Sequence, residues 1–213
     1  RDGDAEVYVM NSDGTGVIRL TNLPDATGAP CWAPDMSKIA FEHKNNWGDE
    51  ADIYIMNADG SNIVNISNNP AYDSHPSWSP DGRQIAFASD RGGNFEIYVM
   101  NTDGSNPIRL TNLSDRWNDF PCWSPDGGKI AFTSQGDSDT AIYVINPDGS
   151  NLTNLTPNIS AAALPRWSPN GEQIVFSSNR DGNWEVYVMD ADGSNLTRLT
   201  NNTWIDMFCS WAP

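Results

Sequence analysis

Along this chain, apolar positions fall in short runs separated by Pro, Asp, Asn and Gly. Gln84-Ile85-Ala86-Phe87-Ala88 alternates large and small side chains, and Glu96-Ile97-Tyr98-Val99-Met100 is rich in β-branched and aromatic residues. Ser79-Pro80-Asp81-Gly82 precedes the first of these runs, and Asn101-Thr102-Asp103-Gly104-Ser105 follows the second. Both are hairpin signals, because Pro presets φ and Gly accepts a positive one. A Pro-x-Trp segment ending at Trp78 and the run Ile108-Arg109-Leu110-Thr111 complete a set of four predicted strands. No 3.6-residue apolar period of useful length occurs, so the pattern predicts an all-β chain.

The set repeats. Trp stands at 32, 78, 123, 167 and 211, Tyr at 8, 54, 98, 143 and 187, and Asp-Gly at 13, 59, 103, 148 and 192. Four strands in roughly 45 residues, repeated in tandem, is the arithmetic of a β-propeller blade. A lone four-stranded sheet leaves both faces open, so Trp78, Phe87 and Tyr98 are expected to cover the next blade, with Ala86 and Ala88 permitting close approach. The predicted blades span about 26–68, 72–112, 117–156 and 161–201, with a closing blade from 1–22 plus about 205–213. In the last three complete units Tyr follows Trp by 20 residues; carried across the ends, that spacing leaves the closing blade without the counterpart of 170–179, a turn plus the second strand. Three readings follow: a longer array, imperfect closure, or a strand supplied by another chain, which would allow self-association.

Charge narrows the function. Lys and Arg number 12 against 28 Asp and Glu, a formal charge of −16 over 213 residues. That balance repels phosphate backbones, which argues against nucleic acid, and it favours a basic partner. No run approaches the roughly 20 apolar residues of a membrane span. The odd set Cys31, Cys122 and Cys209 lacks paired spacing and reads as buried space-fillers. With no Gly-x-Ser-x-Gly, P-loop or HExxH motif and only two His, catalysis is not expected. The Asn-x-Asp-Gly-Ser turns look like half of a calcium loop without its later Glu; hairpin geometry explains them, and no cofactor is expected. A cation held by Asp73, Asp119 and Asp206 at the channel mouth is a second reading.

The motifs WSPDG, IAF and YVMNxDGSNxxRLT resemble the TolB-like propeller repeat over essentially all residues. Departures are mild: Ala33 and Ala212 replace Ser, Met36 replaces Gly and Asn170 replaces Asp. The resemblance implies a binding or scaffolding propeller of envelope complexes, or the gating propeller of a peptidase whose catalytic domain is absent here. It also implies a secreted, periplasmic or cell-surface location.

Comparison of the units locates a candidate surface. The first–second and third–fourth turns are near-identical and are predicted to share one face; the divergent second–third and fourth–first loops share the other. There the candidate ligand-binding residues are Trp47, Tyr72, Asp73, His75, Trp117, Asn118, Asp119, Phe120, Trp204 and Asp206. Tyr72, Trp117, Phe120 and Trp204 serve as anchors, and Asp73, Asp119 and Asp206 as rim charges, for a protein or peptide. The same types suit a carbohydrate or glycan-processing propeller. The structural readings are that Tyr72 and Trp117 cover a blade junction, that His75 is a satisfied buried polar group, and that His43 is solvated.

Overall fold

The computed structural model describes residues 5–44, 50–157 and 161–211. Trp47 lies outside the described residues. Every regular element is a strand, and four antiparallel sheets of four strands follow one another along the chain. They are β3–β6 (Thr27–Trp32, Lys38–Lys44, Ala51–Asn57, Val64–Asn65) and β7–β10 (Asp73–Trp78, Gln84–Ser89, Glu96–Asn101, Ile108–Arg109). Then come β11–β14 (Trp117–Trp123, Ile130–Gln135, Thr140–Ile145, Thr153–Asn154) and β15–β18 (Ala162–Trp167, Gln173–Ser178, Glu185–Asp190, Thr197–Arg198). Each sheet is a meander in which every strand pairs with its sequence neighbour. A two-stranded sheet, β1 (Tyr8–Val9) with β2 (Ile18–Arg19), precedes them and corresponds to the outer half of a blade. Residues 199–211 carry no strand.

Adjacent sheets bury unlike faces. Trp78, Ile85, Phe87, Tyr98 and Met100 of the second blade pack on Ala40, Ile53, Ile55 and Ile66 of the first. Trp123, Ile130 and Phe132 pack on Ala86, Ala88, Ile97 and Leu110, and Trp167, Ile174, Phe176 and Tyr187 on Ala131, Ile142 and Leu155. The large residues therefore cover the preceding blade, which corrects the expected direction toward the next one. The indoles reinforce this polarity: Trp78 Nε1 donates to Cys31 O at 3.3 Å, Trp167 Nε1 to Cys122 O at 3.2 Å and Trp211 Nε1 to Arg166 O at 3.1 Å.

The near-identical turns are also junctions. A Cβ on Gly127 or Gly171 would stand 3.2 or 3.3 Å from the proline of the preceding blade's turn. On Gly104 it would stand 2.2 Å from Ile66 O. Hairpin geometry thus gives only part of the reason for glycine.

A recurrent acid ties the outer strands together. Glu96, fully buried, accepts from Arg109 Nη2 (2.7 Å), Leu113 N (2.8 Å), Asn118 Nδ2 (2.7 Å) and the Thr111 hydroxyl. Thr111 Oγ1 in turn accepts from Ile97 N at 2.9 Å. Glu185 gathers Arg198, Thr200 and Asn202 in the same way, and the Thr200 hydroxyl foremost holds its carboxyl down at about 2. Where Ala141 takes the acid's place, the Arg-Leu-Thr of the fourth strand becomes Asn154-Leu155-Thr156.

Candidate functional site

The divergent loops do share a face, and they bind one another. Asn94, in a second–third loop, donates from Nδ2 to Arg116 O at 2.5 Å and Leu113 O at 3.3 Å. Asn183 repeats this one unit pair later, to Trp204 O at 2.6 Å and Asn202 O at 3.1 Å. Phe95 O accepts from Asn118 N at 3.0 Å and Trp184 O from Asp206 N at 2.8 Å. The fourth–first loops are therefore fixed in backbone position just where Trp117 and Trp204 emerge, with 62% and 78% of their surface exposed. Phe95 lies between two candidates, its ring 5.9 Å from Trp117 and 5.8 Å from Tyr72. Tyr72 also lies beneath Lys44 Nζ, 5.7 Å from the ring centre.

The remaining candidates divide by burial. Asp73 is fully buried and held by Arg91 Nη2 at 2.9 Å; burial raises its pKa against the pull of Ser89 and Arg91. Asn118 is fully buried on Glu96. Neither reaches solvent, so Asp73 is not a rim charge and Asn118 offers nothing to a partner. Asp206 accepts from Asn202 Nδ2 at 2.6 Å, and Asp119 bonds His75. The three aspartates are thus engaged separately, and among the described residues no cluster of His, Cys, Asp and Glu is placed to hold a metal. The cation ring does not form.

A family model described as the TolB beta propeller domain matches residues 1–158 and 114–213, the full length between them. The chain belongs to the TolB β-propeller family. Among solved structures, this TolB-family propeller is similar to TolB from Acinetobacter baumannii, at 25% identity and a TM-score of 0.81, over 94% of this chain and 50% of that one. The chain thus spans half the length of that relative. A putative TolB from Agrobacterium tumefaciens aligns at 24% identity and a TM-score of 0.70, over 89% of this chain and 86% of its own. A puromycin-hydrolyzing peptidase of Mycobacterium tuberculosis aligns at 16% identity and 0.72, over 89% and 31%. The last two are likenesses of fold. No curated protein matches the chain.

In this TolB-family propeller each innermost strand is bulged three residues before its Trp. The register shifts between Gly28 and Cys31, Ser74 and Ser77, Asp119 and Cys122, and Ala163 and Arg166. Ala29, His75, Phe120 and Leu164 sit at φ of 45°, 50°, 54° and 61°, each followed by a Pro that has no N–H for the ladder. The bulge brings residues of neighbouring blades together: the His75 and Phe120 ring centres are 3.9 Å apart, and His75 Nδ1 donates to Asp119 Oδ1 at 2.8 Å. Thr133 Oγ1 accepts the bulged Leu164 N–H at 2.9 Å, and Glu42, at the matching position two junctions earlier, lies 3.4 Å from His75 N. Ala88 occupies that position in the second blade, and there Asp119 Oδ1 takes the Phe120 N–H at 2.7 Å.

Burial pulls the His75 pKa down, but the Asp119 hydrogen bond and the charges of Asp119 and Glu42 outweigh it, and the net shift is upward. His43 is the reverse. It is 5% exposed with its edge to Tyr54, and burial foremost lowers its pKa. The solvated loop expected for it is in fact the end of β4. The cysteines are free and half-buried, and Cys31 Sγ donates to Pro76 O at 3.0 Å. Sequence reasoning missed Asn94, Asn183 and Phe95. Their signal was present in the chain: in two units an Asn stands two residues before the acid of the third strand, with an aromatic between them.

Proposed function

We propose that this chain is a non-catalytic binding propeller that recognises a protein or peptide partner on its variable loop face, outside the cytoplasm. The observation that carries the reading is the pair Trp117 and Trp204, both exposed on loops whose backbone Asn94 and Asn183 fix in place. Exposed aromatics on a preorganised backbone lose little entropy on binding, which is the usual character of an interface anchor. Family membership supports the scaffold part of the reading.

A photo-crosslinking residue placed at Trp117 tests it, against a control at Asp148 on the opposite face. A protein captured from position 117 and not from 148, with affinity for the purified chain falling at least tenfold in Trp117→Ala, is the expected result. Equal capture from both faces overturns the reading. So does a partner that binds Trp117→Ala as well as the parent. Binding of neutral oligosaccharides in place of protein would move the assignment to carbohydrate recognition.

A further inference from the structure

Beside Trp117 lies a cavity of about 320 Å³ between the fourth–first loop that opens the third blade and that blade's second–third loop. Trp117, Asp115, Gln135 and Asp137 line it, and all four are exposed. Among the described residues that line it the one cation is Arg116, which is already engaged: Nη1 and Nη2 reach Asp139 at 2.9 and 3.2 Å, and Nε donates to Ser134 Oγ at 2.8 Å. Gly136 permits this arrangement, because a Cβ there would stand 2.7 Å from Arg116 Nη1 and 3.0 Å from Asp139 Oδ1. Arg116 spends its hydrogen bonds on Asp139 and Ser134 and feels Asp115 only through space, so Asp115, Asp137 and Asp139 together outweigh it and leave the cavity net negative beside an exposed indole.

We infer that this cavity receives a basic side chain, arginine or lysine, of the protein partner. An aromatic face attracts a cation through its quadrupole, and two carboxylates at the rim of a chain carrying −16 steer and hold it. Among the described residues the cation lining the cavity is Arg116, and its guanidinium is turned to Asp139. A neutral or acidic side chain would leave the carboxylates uncompensated. The inference rests on the variable face being the partner-binding face, and it names the chemistry of one contact on it.

The probe is N-acetyl-arginine methylamide, titrated into the full chain while the Trp117 indole and the Gln135 and Gly136 amide resonances are followed. The isosteric neutral citrulline derivative serves as control. Saturable shifts at these three residues with arginine, at least fivefold weaker with citrulline, are expected. Asp115→Asn combined with Asp137→Asn should weaken arginine binding by about fivefold and abolish most of its salt dependence. These are exposed positions, and an unchanged spectrum elsewhere confirms that the variant is folded. Equal binding of arginine and citrulline overturns the inference, as does a double variant that binds arginine unchanged, or a neutral sugar that binds the cavity more tightly. If position 117 still crosslinks a partner in that event, only the cavity's chemistry is wrong. If it crosslinks none, the partner-binding reading itself fails.

Discussion

The glycines of the third–fourth turns offer a graded test of how blades are joined. Gly14 and Gly104 occupy equivalent turns with the same φ of +83°, but a Cβ on Gly14 meets nothing within 4 Å, whereas on Gly104 it would lie 2.2 Å from Ile66 O. Alanine at Gly14 therefore bears only the left-handed backbone term, about 1 kcal/mol. Alanine at Gly104 adds a clash with the backbone of the preceding blade, which must move, and overpacking of that kind brings the total to roughly 3 kcal/mol. Gly60 and Gly193, each 2.8 Å from a carbonyl, fall between, and Gly149, at 3.5 Å, sits close to Gly14. Urea midpoints at constant m-value measure the order directly. Asparagine, which tolerates the left-handed region, sharpens the test: it should recover most of the loss at Gly14 and little at Gly104. If Gly104→Ala is no more destabilising than Gly14→Ala, these glycines serve their own turns alone and the junction argument fails.

The two histidines should titrate in opposite directions from 6.5, His75 above it and His43 below, as followed by their Cε1–H resonances; coincident titration would refute the burial and pairing described for them. Because the folded pKa of His75 is raised, its contribution to stability is complete below 6.5 and is lost as pH rises through the folded value. His43, with a lowered folded pKa, contributes above 6.5 and loses that contribution as pH falls through its folded value. Glu96→Ala strands Asn118 and Thr111 in the interior and should destabilise by about 3 kcal/mol in urea unfolding; a loss under about 1 kcal/mol would contradict its role as a hub. Burial pushes the Cys31 thiol up to about 12, so iodoacetamide at pH 8 should label it far more slowly than in urea, read by peptide mass; rapid labelling of the folded chain would contradict its burial.

The blade repeat was legible because its determinants are local: turn glycines, alternating runs and a recurrent Trp that can be read one unit at a time. The candidate site was legible only where a side chain stays exposed although its backbone is tied to a neighbouring loop, as at Trp117 and Trp204. Asp73 and Asn118 share that loop's character in sequence, yet Arg91 claims one and Glu96 claims the other, and both partners lie about 20 residues away. His43 failed as a prediction because its polar neighbours in sequence are not its neighbours in space; Tyr54 of the paired strand is. The stacking direction was unreadable for a similar reason. Large and small faces announce that sheets pack, but not which neighbour each face meets.

That direction makes the molecule a polar stack. Among the described residues, each junction between the four complete sheets presents a bulky face to a small-residue face in the same sense, and the core clusters across it join units adjacent in the chain. Stability in such an array is close to a sum of units and nearest-neighbour couplings. Folding needs no distant pairing to begin and can grow from any junction. A whole unit is then the natural quantum of change, for its removal or duplication rejoins a bulky face to a small one and leaves the pattern of every remaining interface in register. What individualises a unit is its outward loops. The fold can therefore vary its length by blades while varying its ligands by loops, each with little consequence for the other.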